Sequence, residues 1–342
     1  MQDKVTIIPI SAEIYPAFYQ MVQNTQWGNP MLPQEYSSSL WGDIMLLDKN
    51  IIGGFIGNIK GNQPLVSHIT KCVYFDSYPM FINSDYEAKY RKILLDTTKE
   101  HAAKDNVIML HLTHWIRGSK MPLDRQNKEA TFVVNLSNDE STLFKNLDSP
   151  KQRNVKKASK FDLEILACRG NEAIQYLPDF QRLRECTQKR AITKHSQASM
   201  LLKSNDFFTR LMLQPNATLL LGKYENKVIS VALMLQGGNT IYYHSGGSDI
   251  EANRKTCCSP YLFWKAFLYF KNEGIKYFDM GGVPTIADET NPAYGVYRFK
   301  KSFGGEYTEF DGGDIIISRW KYKFLNWILS QRKILRFFST KI

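Results

Sequence analysis

Apolar and polar positions fall into alternating blocks along the chain, and the blocks predict strands and helices in turn. Residues 5–10 (VTIIPI) read as a strand and 11–25 as a helix, with Ser11 as N-cap and Glu13 near its positive end. Residues 42–60 read as a hairpin turning at Lys49–Asn50. From Asp85 to Lys104, Tyr86, Tyr90, Ile93, Leu94 and Thr97 recur at helical spacing. Strands are expected at 107–112 and 131–136, then helical stretches over NDESTLFKNL and SPKQRNVKKASK. From residue 160 onward the order repeats the first half in outline. A strand at 161–167 leads to a helix from about Pro178 carrying Phe180, Leu183 and Thr187, then a helix over 196–213 and strands at 217–224, 227–236 and 239–245. Ser259 and Pro260 open another helix as N-cap and first-turn proline, Gly274 stops it, and 275–280 forms the next strand.

Composition narrows this to a globular chain. Its 342 residues suit two domains of about 150 residues or one large α/β unit, and 43% apolar with 23% charged residues excludes a largely disordered polymer. No stretch approaches the roughly 18 apolar residues of a membrane span, and the start, MQDKVTIIPI, lacks a basic region followed by an apolar one, so a soluble cytoplasmic protein is expected. Cys72, Cys168, Cys186, Cys257 and Cys258 show no CxxC spacing and read as reduced thiols. His111 and His114 lack the carboxylate of an HExxH helix and would point to opposite faces of a strand, so no metal site is expected.

Charge adds a preference for partners. Forty-four Lys and Arg against 33 Asp and Glu leave +11, which favours polyanions. Lys151, Arg153, Lys156, Lys157 and Lys160 lie within ten residues with no acid between them; on a helix, Arg153, Lys156/Lys157 and Lys160 share a face, suited to phosphates along a backbone or to simple solvation. Phe278-Asp279-Met280-Gly281-Gly282-Val283 ends a buried strand with two glycines, and Asp279 is either a turn cap, the favoured reading, or a catalytic carboxylate. No GxGxxG or GxxxxGK[ST] is present. Tyr294 to Gly305 (YGVYRFKKSFGG) alternates rings with cations, as a strand or as a helix with Phe299 and Phe303 inward and Arg298 and Lys301 outward. The last 26 residues hold seven Lys and Arg, no acid, and an apolar stripe of Trp320, Phe324, Trp327, Ile328 and Leu335. Packing of that stripe on the domain body is favoured over contact with an anionic membrane.

Helix, helix, three-strand meander, helix, strand is the succession of an N-acetyltransferase-type fold. Three stretches in order resemble the FemABX family of peptidoglycan-precursor aminoacyltransferases: Thr131–Leu136 with Arg153–Lys160, Tyr242–Ser248 with Pro260 and Gly274–Gly282, and Tyr297–Gly305 (YRFKKSFGG). The resemblance covers about residues 131–315, more than half the chain. It implies an α/β (α+β) protein of two tandem GNAT-like domains, each a mixed sheet flanked by helices. Residues 1–147 plus 317–342 would form the first, with a returning C-terminal helix, and 148–316 the second. The chain has no room for the helical arm of the longer members. By resemblance, Lys300, preceded by Phe299, belongs to the donor and reacting centre; Arg190 of Thr187-Gln-Lys-Arg meets the precursor's pyrophosphate; and Tyr243 lines the acceptor channel. Tyr297 and Arg298 complete the expected substrate-binding set, with Lys151, Arg153, Lys156, Lys157 and Lys160 as the phosphate- or nucleic-acid-binding set.

No nucleophile-and-base pair is visible, so direct attack on the donor is expected, with Lys300 as a cation at the developing charge and not as a base. The expected partners are aminoacyl-tRNA, a lipid-linked or UDP-linked muropeptide and, peripherally, the inner face of the membrane. No cofactor is expected. A CoA thioester would replace tRNA if the chain were instead an N-acyltransferase for an amino sugar of a surface polysaccharide, but Asn253–Ser259 lacks the glycines of a CoA pyrophosphate loop. A non-catalytic nucleic-acid or membrane-surface module is the alternative from another class.

Overall fold

The structure is a computed structural model describing residues 4–62, 67–112, 122–194, 204–285, 288–291 and 293–339; of 188, 190–194, 329 and 331–339 it describes the backbone alone. The chain divides into two compact units, 1–128 with 310–342 and 129–309. These boundaries fall inside strands, where the sequence had suggested 147/148 and 316/317. The first lies earlier because residues 133–135 pair with 277–279.

Unit 1 runs β1 (Val5–Pro9), α1 (Tyr15–Gln23), β2 (Leu40–Leu47), β3 (Asn50–Lys60), α2 (Ser67–Thr70), β4 (Cys72–Phe75), β5 (Met80–Phe81), α3 (Ser84–Lys104) and β6 (Met109–Leu112). Strands β1 to β4 form an antiparallel series, with the short β5 also paired to β3, and β4 pairs parallel with β6. A parallel pair needs a crossover, and α3 supplies it. Asn83 caps α3 by accepting from the Tyr86 N–H, and the buried face is Tyr90, Leu94, Leu95, Thr98 and Ala102. Ile93, expected on that face, is exposed, because the face is centred on Leu94 and Leu95. Helix α1 starts at Tyr15 and not at Ser11, and Ile14 at its N-cap makes no side-chain cap. The β2–β3 turn sits at Asp48 and Lys49, both with positive φ, one residue ahead of the expected turn.

Unit 2 runs β7 (Arg125–Asn135), α4 (Glu140–Asn146), α5 (Ser149–Ala158), β8 (Leu163–Cys168), α6 (Gly170–Gln175), α7 (Leu177–Lys194), α8 (Asn205–Met212), β9 (Ala217–Tyr224), β10 (Lys227–Gly237), β11 (Thr240–Ser248), α9 (Ile250–Thr256), α10 (Cys258–Asn272), β12 (Tyr277–Asp279) and α11 (Tyr294–Lys301). Strands β8 to β11 are antiparallel, β11 pairs parallel with β12, and β12 pairs antiparallel with β7. Residues 195–203, the start of one expected helix, lie outside the described residues.

The N-cap of α10 is Cys257, at φ 56°, and not Ser259; Ser259 is buried inside the helix, its hydroxyl 3.0 Å from that of Ser230. Gly274, at φ 82°, stops α10 as expected. Phe263, Phe267, Phe270, Phe278 and Phe303 bury their rings in one cluster, with Phe267 and Phe278 edge to face at 4.8 Å. Each such ring contributes about 1.5–3 kcal/mol on leaving water. The strand β13 (Glu306–Ile316) leads back into unit 1, where Gly313–Ile316 pairs antiparallel with β6, and α12 (Arg319–Ser339) ends the described chain.

Candidate functional site

The ring-and-cation stretch after Asn291 resolves as a helix, so of the two conformations left open by the sequence the helical one holds. Phe303 is fully buried, Phe299 half-buried, and Arg298 and Lys301 exposed. Lys300 is the exception on this helix. Only 7% exposed, it points inward and donates from Nζ to the Gly282 carbonyl at 2.9 Å. Its ammonium stands 5.4 Å from the centre of the Tyr243 ring on β11.

The turn after β12 is built to receive this lysine. Asp279 is buried at its end and accepts from the Thr131 hydroxyl at 2.6 Å and the Gly281 N–H at 2.7 Å. Asp279 therefore caps the turn, the reading favoured from the sequence, and its charge favours the protonated lysine. Gly281 has φ +77°, and a Cβ there would come 2.7 Å from the Tyr243 carbonyl and 3.2 Å from Lys300 Nζ. Both backbone conformation and space require glycine. Burial pulls the Lys300 pKa down from 10.5 to about 8, with Asp279 opposing it.

Tyr243 lies between two cations. Its phenol is pushed up to about 12 by burial, and the Arg184 guanidinium opposes that shift. Arg184, on α7, is 8% exposed and lies 4.2 Å from the Phe208 ring centre. Its Nε has no hydrogen-bond partner among the described residues, and burial lowers its pKa. The sequence reading missed Arg184. The signal available was helical spacing, since it follows Phe180 and Leu183, both buried, on the same helix. Arg190, expected to meet a pyrophosphate, sits two turns further along α7, and its side chain lies outside the described residues.

The basic run on α5 does not act as one stripe. Lys151 is buried, 7% exposed, with Nζ 4.4 Å from the Phe299 ring and 4.7 Å from the Phe303 ring. Burial lowers its pKa to about 8 against the pull of Asp148. Lys151 precedes Val155 and Ala158 at i, i+4, i+7, the buried face of the helix. Arg153 and Lys160 are exposed, as the stripe reading has them. Lys157 donates to the Arg254 carbonyl at 3.3 Å. Lys156 turns to a cavity of about 610 Å³ walled by Phe144, Tyr261, Trp264 and Lys265.

A second cavity, of about 660 Å³, joins two of the predicted segments. Lys151 and Asn154 of α5 line it together with Tyr294, Tyr297, Arg298, Phe299 and Lys301 of α11. Three of its lining side chains are cations and one, Asp148, is an acid, so it suits an anionic ligand. Tyr294 and Tyr297 stack at 6.5 Å, with the Lys301 ammonium 5.9 Å from the Tyr297 ring. Lys300 is not among the lining residues; it belongs to the neighbouring Gly281–Tyr243 turn.

Residues 193–329 match the sequence model of the FemAB family. No curated protein matches the sequence. Among solved structures, the chain is similar to FemX, with a TM-score of 0.66 at 15% identity over 90% of this chain and 96% of that one. It is also similar to a conserved protein of unknown function from Bacteroides thetaiotaomicron VPI-5482, with a TM-score of 0.50 at 12% identity over 90% and 99% of the two chains. A tandem GNAT protein from the clavulanic acid biosynthesis pathway aligns at a TM-score of 0.45 and 9% identity over 92% and 99%. The FemABX resemblance read from the sequence is thus met by a family-model match over residues 193–329, and the mixed α/β fold by the likeness to FemX.

Proposed function

We propose that this chain transfers an amino acid from aminoacyl-tRNA to an amine of a phosphate-bearing cell-wall precursor. The observation that carries the reading is the buried Lys300 ammonium, fixed on the Gly282 carbonyl beside a cavity lined by Lys151, Arg298 and Lys301. In the reaction a neutral amine attacks the ester carbonyl, and negative charge develops on the carbonyl oxygen. The ester C–O bond then breaks, and the tRNA ribose hydroxyl leaves with the proton lost by the amine. Orientation of the two reactants supplies ~7–11 kcal/mol of the barrier reduction. Lys300 stabilises the charge that develops, at low dielectric, and no covalent enzyme intermediate is needed. Lys151, Arg298 and Lys301 hold phosphate, and Arg190 is assigned to the precursor's pyrophosphate by family resemblance.

The start of α10 supports tRNA over a CoA thioester. A CoA pyrophosphate needs free N–H groups at a helix N-terminus. Here the Ser259 N–H already donates to the Asn253 side chain at 2.7 Å and the Cys258 N–H to the Thr256 hydroxyl at 3.3 Å.

The test is transfer of a radiolabelled amino acid from tRNA to a UDP-linked muropeptide. The wild type should turn over, and Lys300→Met should lower kcat by about 10²–10³. Unchanged turnover in that variant would remove Lys300 from the mechanism. Acetyl transfer from CoA to a nucleotide-linked amino sugar, without tRNA-dependent transfer, would replace the whole reading.

A further inference from the structure

We propose that α12 docks the protein on an anionic lipid surface, through a strip formed by Trp320, Phe324 and Trp327. The helix carries Arg319, Lys321, Lys323, Arg332, Lys333 and Arg336 and no acidic residue. Of the stripe expected to pack on the body, Trp320, Phe324 and Trp327 do not; Ile328 is half-buried, and the side chain of Leu335 lies outside the described residues. Trp320 is 66%, Phe324 41% and Trp327 58% exposed, whereas Tyr322, Leu325 and Ile328 are half-buried. The three rings follow i, i+4, i+7 spacing and so lie along one line of the helix. Phe324 and Trp327 stack at 6.0 Å, which joins two of the three rings.

Polar contacts hold the helix to unit 1 in this orientation. The Tyr322 hydroxyl donates to Asp314 at 2.9 Å and accepts from Arg125 at 3.4 Å, and Lys321 donates to Asn106 at 3.2 Å. Cations flank the rings: Lys321 Nζ is 5.6 Å from the Trp320 ring, and Lys323 is exposed. Arg319 is partly offset by Asp124 at 4.0 Å.

The occupant follows from size and chemistry. Trp320 to Trp327 spans about 10 Å of helix. Three rings fall well short of the roughly 800 Å² per partner that a stable protein interface buries. They do suit insertion to the headgroup boundary, ~5–10 Å deep, where tryptophan rings are favoured and neighbouring cations meet lipid phosphates. No helix of the described residues is long and apolar enough to cross a membrane, so the contact is peripheral. The inference concerns unit 1 and stands whether or not the transfer reading holds.

The test is cosedimentation of the full chain with vesicles of phosphatidylcholine alone and of phosphatidylcholine mixed with phosphatidylglycerol. Binding to the mixed vesicles should be at least about tenfold stronger and should fall with salt. Brominated acyl chains should quench tryptophan fluorescence. Combined Trp320→Ser, Phe324→Ser and Trp327→Ser should weaken binding at least roughly tenfold at an unchanged Tm, and should leave transfer to a soluble UDP-linked acceptor intact. Combined Arg319→Gln, Lys321→Gln and Lys323→Gln should remove the preference for phosphatidylglycerol. Equal binding to both vesicles, or full binding by the serine variant, would overturn the proposal. So would self-association lost in the serine variant without any vesicle binding.

Discussion

Unit 1 and unit 2 pair their strands in the same order: four antiparallel strands, a parallel neighbour reached through a helix, and a final antiparallel strand. They bury opposite charges inside that shared order. Among the described residues, unit 1 buries Asp43, Asp311 and Asp314, two of them against histidines: His101 at 2.8 Å and His111 at 2.6 Å. Unit 2 buries Lys151, Arg184 and Lys300 against aromatic rings, with Asp279 as its one buried acid. Asp314 accepts from both His111 and Tyr322, whereas Asp43 has one oxygen on His101 and its Oδ2 without a hydrogen-bond partner among the described residues. Ammonium and guanidinium groups held against rings lose hydration for less return, and on the proposed function these are the groups that meet an anion. On the proposed function, the shared strand order supplies a frame, and the sign of the buried charge is what distinguishes the unit assigned the chemistry from the other.

The largest effect that can break this division is on Lys300. Lys300→Met should lower kcat by about 10²–10³ while Tm holds or rises, because a buried cation is replaced by an apolar chain of similar length. A variant that loses Tm and activity together would make Lys300 structural. The pH profile sharpens the point. The lysine is charged below about 8, so turnover should fall as pH rises through that value, and Lys300→Arg should move the fall to higher pH. Stability moves the other way. Between about 8 and 10.5 the unfolded chain binds the proton that folded Lys300 has released, so stability rises with pH there, and Lys300→Met should flatten the rise.

Gly281→Ala comes next. The new methyl would meet the Tyr243 carbonyl at 2.7 Å in a backbone with φ +77°. A cost of about 1–3 kcal/mol in stability is expected, with a fall in kcat, because the displaced turn carries the Gly282 carbonyl that holds Lys300. Thermal melts and kinetics on one preparation would test it. An alanine variant with wild-type Tm would show that the turn has room to move.

How much of this was legible in the sequence depended on the range of the interaction. Strands β9, β10 and β11 were read within a few residues of their observed ends, because apolar runs and the turn residues between them are local signals. The burial of Lys151 was equally local, at i−4 from Val155, yet a run of five cations reads as a solvated face until the spacing is followed. The His111–Asp314 pair joins residues 203 apart in sequence, and the receipt of Lys300 by Gly282 joins two segments 18 apart through a turn. Neither leaves a periodic trace. The aromatic spacing on α12 was legible too; which side of the helix it occupies depended on Tyr322 reaching Asp314.

Asp314→Asn tests the other unit. Burial would raise the carboxyl pKa, but hydrogen bonds from His111 and Tyr322 outweigh it and hold the group below its ordinary value. The stability it contributes is present above the ordinary carboxylate range and lost as pH falls through the lowered value. The asparagine variant should cost about 1–3 kcal/mol at neutral pH, less in acid, with kcat for a soluble acceptor unchanged. A matching loss of turnover would erase the difference between the units.

The smallest effect separates the two faces of α5. Arg153 and Lys160 are exposed, whereas Lys151 sits under Phe299 and Phe303. If the exposed pair contacts tRNA phosphates, each of Arg153→Gln and Lys160→Gln should weaken tRNA binding modestly. Each should also reduce the slope of log affinity against log salt by about one unit, with melting temperature within error of the wild type. Lys151→Gln should behave differently, because a buried group meets its ligand at low dielectric, where salt screens weakly. It should change affinity for the phosphate-bearing ligand of the α5–α11 cavity more than it changes the salt slope. Equal slope changes for Lys151 and Arg153 would mean that the helix presents one continuous face to the polyanion, and that the burial of Lys151 has no part in recognition.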